Sequence, residues 1–205
     1  MDTSVISISR AMASGGDDIA RAVASKMDFR FMDDEIIERA AEKAGVSPAT
    51  IANVERTPSL IDRILKHLGS SPIETGHGAY MPVILDASET YESLIAQVIR
   101  ETAQAGKVVI LAHGASIALR DVPGVFRALV TGSSEVRASR LARRGNIQES
   151  AARKEIDKSD RARGEFLQRL YNVAHELPSH YDLVLNTDRI SATAAADLIA
   201  TAARS

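Results

Sequence analysis

The chain has 205 residues, enough to bury a core, and its 45% hydrophobic and 25% charged content excludes a disordered, collagen-like or membrane-bundle protein. With 25 basic against 27 acidic side chains the net charge is −2, so nothing in the composition points to a polybasic surface for wrapping a nucleic-acid polymer or coating anionic lipid. The absence of cysteine removes disulfides, thiolate nucleophiles and cysteine-bound metals, and suits a reducing cytoplasm.

Four short β-branched runs stand out in chain order: 5–8, 108–111, 125–130 and 183–185. Each reads as a strand buried on both faces. Helical periodicity fills the intervals at 17–26, 33–44, 88–105, 133–144, 148–174 and 191–203, and residues 29–32 form a weaker strand candidate. Strands alternating with helices imply crossovers, a mainly parallel sheet and a single domain over residues 1–205. Residues 57–87 break the rhythm with Pro58, Pro72, Pro82, Gly69, Gly76 and Gly78, and read as a loop-rich insertion. Ser47-Pro48 predicts a capped helix running to Glu55 just before it. The longest uncharged stretches, such as Val108 to Leu119, fall short of the roughly 18 residues a membrane span requires. The opening MDTSVISISR lacks the apolar centre of a signal peptide, so a cytoplasmic location is expected.

The strongest chemical signal follows the first strand: Ser9-Arg10-Ala11-Met12-Ala13-Ser14-Gly15-Gly16-Asp17-Asp18, leading into an amphipathic helix. A strand, small residues, two glycines and a helix start together point free peptide N–H groups and the positive helix end at an anion, with phosphate the natural guest. The alternative is a tight turn in which the two glycines only supply unusual backbone angles. Against the phosphate-loop pattern G-x-x-x-x-G-K-[ST], Arg10 stands at the first glycine, Gly15 at the second, Gly16 at the lysine and Asp17 at the magnesium-binding hydroxyl. Arg10 is the candidate replacement cation, since a guanidinium matches phosphate oxygens. Asp17 is the candidate metal ligand, because Asp17 and Asp18 would repel phosphate unless a metal lay between. No histidine spacing fits a zinc motif and no serine sits in a nucleophile elbow.

Further on, Asp33-Asp34-Glu35 opens a helix, where Asp33 is expected to cap. Arg137, Arg140 and Arg144 recur at helical spacing, and Arg153, Asp157, Arg161 and Glu165 read as an ion-pair ladder along one face.

The segments ISISRAMASGGDDIARAVASKM, FRFMDDEIIERAAEKAGVS, VVILAHGASIALRDVPGVFRALVTGSSEVRASRLARRG, AARKEIDKSDRARGEF and YDLVLNTDRIS together resemble the cytidylate kinase-like family, a divergent branch of the P-loop nucleoside monophosphate kinases. The resemblance implies a three-layer α/β/α domain with a mainly parallel five-stranded sheet. It implies ATP and Mg2+ as cofactors, with ATP phosphates on Ser9, Arg10, Ser14, Gly15, Gly16 and Asp17. It implies an acceptor site near Asp33, Asp34, His113 and Gly114, and a lid over 133–165 whose Arg140, Arg144 and Arg161 act with Arg10 on the transferring phosphoryl group. Related sequences carry an arginine where this chain has His113, which replaces a permanent cation by a titratable one. The expected function is therefore ATP-dependent phosphorylation of a CMP-like nucleoside monophosphate or another small acceptor. The alternative is a catalytically inactive nucleotide-binding or protein-interaction relative. The expected partner is a small nucleotide, with neither nucleic-acid polymer nor membrane; a homo-oligomer stays open.

Overall fold

The computed structural model describes residues 3–49, 51–52 and 91–205. The insertion expected at 57–87, with the end of the helix that begins at Pro48, lies outside the described residues. Five strands, β1 (Val5–Arg10), β2 (Arg30–Met32), β3 (Val108–Leu111), β4 (Val125–Thr131) and β5 (Leu183–Asn186), pair in parallel in the order β2-β3-β1-β4-β5. The weak strand candidate at 29–32 is thus the sheet edge. Between the strands run α1 (Gly16–Met27), α2 (Asp34–Ala44), α3 (Tyr91–Gln104), a four-residue α4 (Ala115–Ala118), α5 (Ser134–Gly145), α6 (Glu149–Tyr171) and α7 (Ala192–Ala203). Of these seven helices α4 alone has no counterpart in the sequence periodicity, because one turn is too short to show any.

Central β1 is covered on both sides, with Val5, Ile6 and Ile8 at most 1% exposed. Its side chains alternate between two cores, as the two-residue strand period requires. Ile6 and Ile8 pack with Ile19 and Val23 of α1, Val109, Leu111, and Ile199 of α7. Val5 joins Ile36 of α2, Ile95 and Ile99 of α3, Val108 and Ile110. These are the three layers that the family resemblance implies. Ser133 caps α5 by accepting from Val136 N, and Ser191 caps α7 by accepting from Ala194 N. Among the described residues no helix is long and apolar enough to cross a membrane.

Because every strand runs the same way, every strand ends on the same edge of the sheet. The connection leaving β1 goes to β2 and the one leaving β4 goes to β5, in opposite directions, which opens a crevice at their carboxyl ends. Arg10 closes β1, Asp33 follows β2, Ala112 and His113 follow β3, Thr131 closes β4 and Thr187 follows β5. Residues up to 177 positions apart in the sequence are thereby brought to one rim.

Candidate functional site: the loop after the first strand

The loop leaves the sheet in stages. Ala11 N donates to Val130 O at 3.0 Å, extending the β1–β4 pairing, and Ser14 N turns back to Ala11 O at 3.2 Å. Ala13 (φ 60) and Gly15 (φ 83) take left-handed backbone, and Gly15 caps α1 without any side-chain cap. Among the described residues no hydrogen bond occupies the peptide N–H groups of Met12, Ala13, Gly15, Gly16 or Asp17. Successive amides in such a turn, at the start of a 12-residue helix, form an anion-binding concavity. Two buried side-chain atoms at the same place also have no hydrogen-bond partner: Ser14 Oγ and Arg10 Nε. A buried orphan hydroxyl is costly unless something supplies its partner.

A cleft of about 1010 Å³ opens over the loop, walled by α5, α6 and the turn from β5 into α7. Arg10, Arg140, Arg144, Lys158 and Arg163 line it against two carboxylates, Asp17 and Glu155, among the described residues. Five cations around a ring of free amides suit a polyanion.

Arg10 lies across the first turn of α1, with Nε 3.0 Å from Asp17 Oδ2 in an ion pair whose angle is not that of a hydrogen bond. A Cβ added to residue 16 would stand 2.5 Å from Arg10 Cβ and 3.0 Å from its Cδ. The arginine arm therefore fills the space that a side chain at position 16 would need, and glycine there is a steric requirement. The two departures from the phosphate-loop pattern, at positions 10 and 16, are one arrangement.

The arginines of α5 take different posts. Arg137, 5% exposed, is gripped from three sides: Nε donates to Gly132 O at 3.0 Å, Nη1 to Met12 O at 3.3 Å and to Asp160 Oδ1 at 2.9 Å, and Nη2 to Asp160 Oδ2 at 2.6 Å. It is a strut between the loop and the α5–α6 hairpin, not part of a solvated face. Arg140 lines the cleft and holds Thr187, while Arg144 lines it with no ion pair among the described residues. Arg161 is exposed and outside the cleft lining, whereas Arg163 lines the cleft and forks onto Glu176 at 2.5 and 2.8 Å. The expected ladder on α6 does not form among the described residues, because Arg153 turns across to Glu135 of α5 at 3.4 Å.

Asp33 stands at the N-cap position of α2, yet its carboxylate makes no cap hydrogen bond, against expectation. It faces His113 instead: Nε2 lies 3.5 Å from Asp33 Oδ1 and 3.1 Å from Asp33 O. Burial pushes the Asp33 carboxyl up, but the hydrogen bond and charge of His113, with Arg10 and Arg21 nearby, outweigh it and hold the pKa below the usual aspartate value. His113 sits in left-handed backbone between Ala112 and Gly114, and at Gly114 a Cβ would stand 2.3 Å from Tyr171 Cε2. Tyr171, at the end of α6, donates to His113 O at 3.3 Å. The structure thus brings Asp33, His113 and Gly114 together, and leaves Asp34 exposed on the first turn of α2.

Ser9 turns away from the cleft. The strand period sends Ser7 and Ser9 to the α4 side, where their hydroxyls meet Ser116 Oγ at 2.9 and 3.2 Å. Ser14, Gly15 and Asp17 do line the cleft, and Gly16 lies beneath Arg10. No group of three metal-ligating side chains occurs among the described residues. Sequence reading missed Thr187, Lys158 and the burial of Arg137. Thr187 lay within the YDLVLNTDRIS segment, two residues past the strand expected at 183–185, and that position was the available signal.

No curated protein sequence matches this chain. Among solved structures it is similar to an uncharacterized protein from Eubacterium ventriosum, at TM-score 0.64 and 17% identity, covering 96% of each chain. It is also similar to shikimate kinase from Bacteroides thetaiotaomicron, at TM-score 0.53 and 13% identity over 96% of each chain. TT1252 from Thermus thermophilus gives TM-score 0.52 and 18% identity over 98% of this chain and 97% of that one. At these identities the likeness establishes a shared fold alone. Residues 5–189, running from the first strand through the loop to the far wall of the cleft, match the cytidylate kinase-like family, and the chain belongs to that family.

Proposed function

We propose that this protein transfers the terminal phosphoryl group of ATP to a small acceptor, a CMP-like nucleoside monophosphate being the first to test. Family membership supports a nucleotide-dependent kinase-type function and leaves the acceptor open. The observation that carries the reading is the loop itself: unpaired peptide N–H groups and the buried, partnerless Ser14 hydroxyl beneath a cleft with five cations in its lining.

Phosphoryl transfer asks a protein for position and charge more than for covalent chemistry. The amides of residues 12–17 would bind the donor phosphates and Arg10 would stand for the loop lysine, releasing Asp17 as it does so. Arg144 of α5 and Lys158 of α6, both in the cleft lining, would close over the phosphates and neutralise their charge, and Arg140 would hold the donor's orientation. On the acceptor side, His113 and Asp33 would orient the attacking oxygen. For magnesium the residues fit: Asp17 offers an oxygen ligand on the cleft wall, and Mg2+ is commonly held by one or two carboxylates together with substrate phosphates. Bound there, the ion would supply charge neutralisation.

A nucleotide-binding relative without turnover is the second reading, favoured by the engagement of Arg10 with Asp17. Calorimetric titration of ATP with magnesium, followed by a turnover panel of nucleoside monophosphates and small alcohols, separates the two. Turnover of a panel member supports the kinase, binding without turnover supports the relative, and absence of binding removes both.

A further inference from the structure

We propose that Thr187 is a positioning residue for the phosphate loop: one hydroxyl orients the Ser14–Gly15 peptide and seats Arg140 at the same time. The inference rests on the reading of the loop as an anion site and adds to it a residue from the opposite end of the chain.

Thr187 is 3% exposed and lines the cleft. Its place is set by the sheet, since its N–H donates to Thr131 O at 2.9 Å, one step beyond the β4–β5 pairing. From there Oγ1 reaches Ser14 O at 2.8 Å, with Thr131 O also at 3.0 Å. A threonine hydroxyl has one proton to give and lone pairs to spare. The lone pairs receive Arg140 Nη1 at 2.9 Å, and the same guanidinium reaches Thr187 O through Nη2. Arg140 is therefore held on the hydroxyl and carbonyl of one residue.

The consequence for the loop follows from peptide planarity. In a trans peptide the C=O and the next N–H point in opposite directions. Anchoring Ser14 O back onto Thr187 therefore turns Gly15 N–H the other way, out of the protein framework and toward the unpaired amides at the loop mouth. Arg137 does the same to the Met12–Ala13 peptide through Met12 O, at the longer distance of 3.3 Å. With the carbonyls held back, the amides are aimed before any anion arrives, which is how a preorganised site avoids the cost of ordering on binding.

Thr187→Val keeps the shape and removes the hydroxyl, while Thr187→Ser keeps the hydroxyl and removes the methyl. Two readouts are compared in the full-length protein. The first is nitrogen-15 relaxation of the Gly15 and Gly16 amides without nucleotide, where the order parameter should fall from a rigid value near 0.85 toward about 0.6 in Thr187→Val and stay high in Thr187→Ser. The second is ATP affinity by calorimetry, which should weaken about tenfold in Thr187→Val and less than about twofold in Thr187→Ser, with the acceptor KM unmoved in both. If Thr187→Val does not fold, Thr187→Ala serves the same comparison. Unchanged loop order in the hydroxyl-less variant, or equal damage in Thr187→Ser, overturns the proposal. A wild-type protein that binds no ATP defeats the kinase reading, while the relaxation comparison still decides the role of Thr187.

Discussion

Arg10 and Gly16 share one volume: a Cβ at position 16 would lie 2.5 Å from Arg10 Cβ, an atom too close to the main chain to swing away. The missing lysine and the added arginine are thus two sides of one substitution, and each position restricts the other.

Restoring a lysine at position 16 alone should therefore fail. Gly16→Lys is expected to cost about 1–3 kcal/mol of stability through overpacking, and to lower ATP affinity. The double change Arg10→Gly with Gly16→Lys should recover both. Urea unfolding and calorimetry of the three proteins would check this, and a fully stable single variant with improved binding would contradict the steric coupling.

The Arg137–Asp160 pair makes a second test. Arg137 is almost fully enclosed, while Asp160 keeps a side chain 42% exposed. Asp160→Asn leaves the guanidinium buried with the carbonyls of Met12 and Gly132 and one weakened fork, so a loss of about 2–3 kcal/mol is expected, at or below the low end for a buried pair. Arg137→Lys should do no better, because an ammonium cannot reproduce the fork. Denaturant midpoints at constant slope would measure both.

Gly114 predicts a packing fault of a different kind. Its left-handed backbone (φ 69) and the close approach of Tyr171 both oppose a side chain. Gly114→Ala should lose about 2–3 kcal/mol. Combining it with Tyr171→Ala should show non-additivity, since the clash vanishes and only the backbone strain is left; a purely additive double-mutant cycle would refute the contact.

Acid should act through Asp182 and Asp33. At Asp182 the hydrogen bond from Arg127 is the main cause of a lowered pKa, with Arg127 Nη2 donating to Oδ1 at 2.7 Å. A carboxylate whose pKa is lower folded than unfolded stabilises fully above the unfolded value near 4 and loses that contribution as pH falls through the folded value. Asp33 is lowered too and has the same sign. Thermal melts from pH 7 to pH 2 should therefore drop most steeply below about pH 4, and Asp182→Asn should flatten that limb while starting from a lower melting temperature at pH 7. An identical acid limb in the variant would remove Asp182 from the account.

Local patterns carried much of this protein. The five strands, the six longer helices and the turn at Arg10 to Asp17 were all legible, because strand and helix periods and the two glycines act over a few neighbouring residues. What occupies each position in the cleft was not legible. Ser9 faces the core because of its phase within β1, Asp33 serves His113 instead of its own helix, and Arg137 is buried, which helical spacing alone does not reveal. Thr187 reaches Ser14 across 173 positions, and Arg137 reaches Met12 across 125. Only the parallel sheet decides these partnerships, since it gathers the ends of all five strands onto one rim and fixes which distant side chains are close enough to bond.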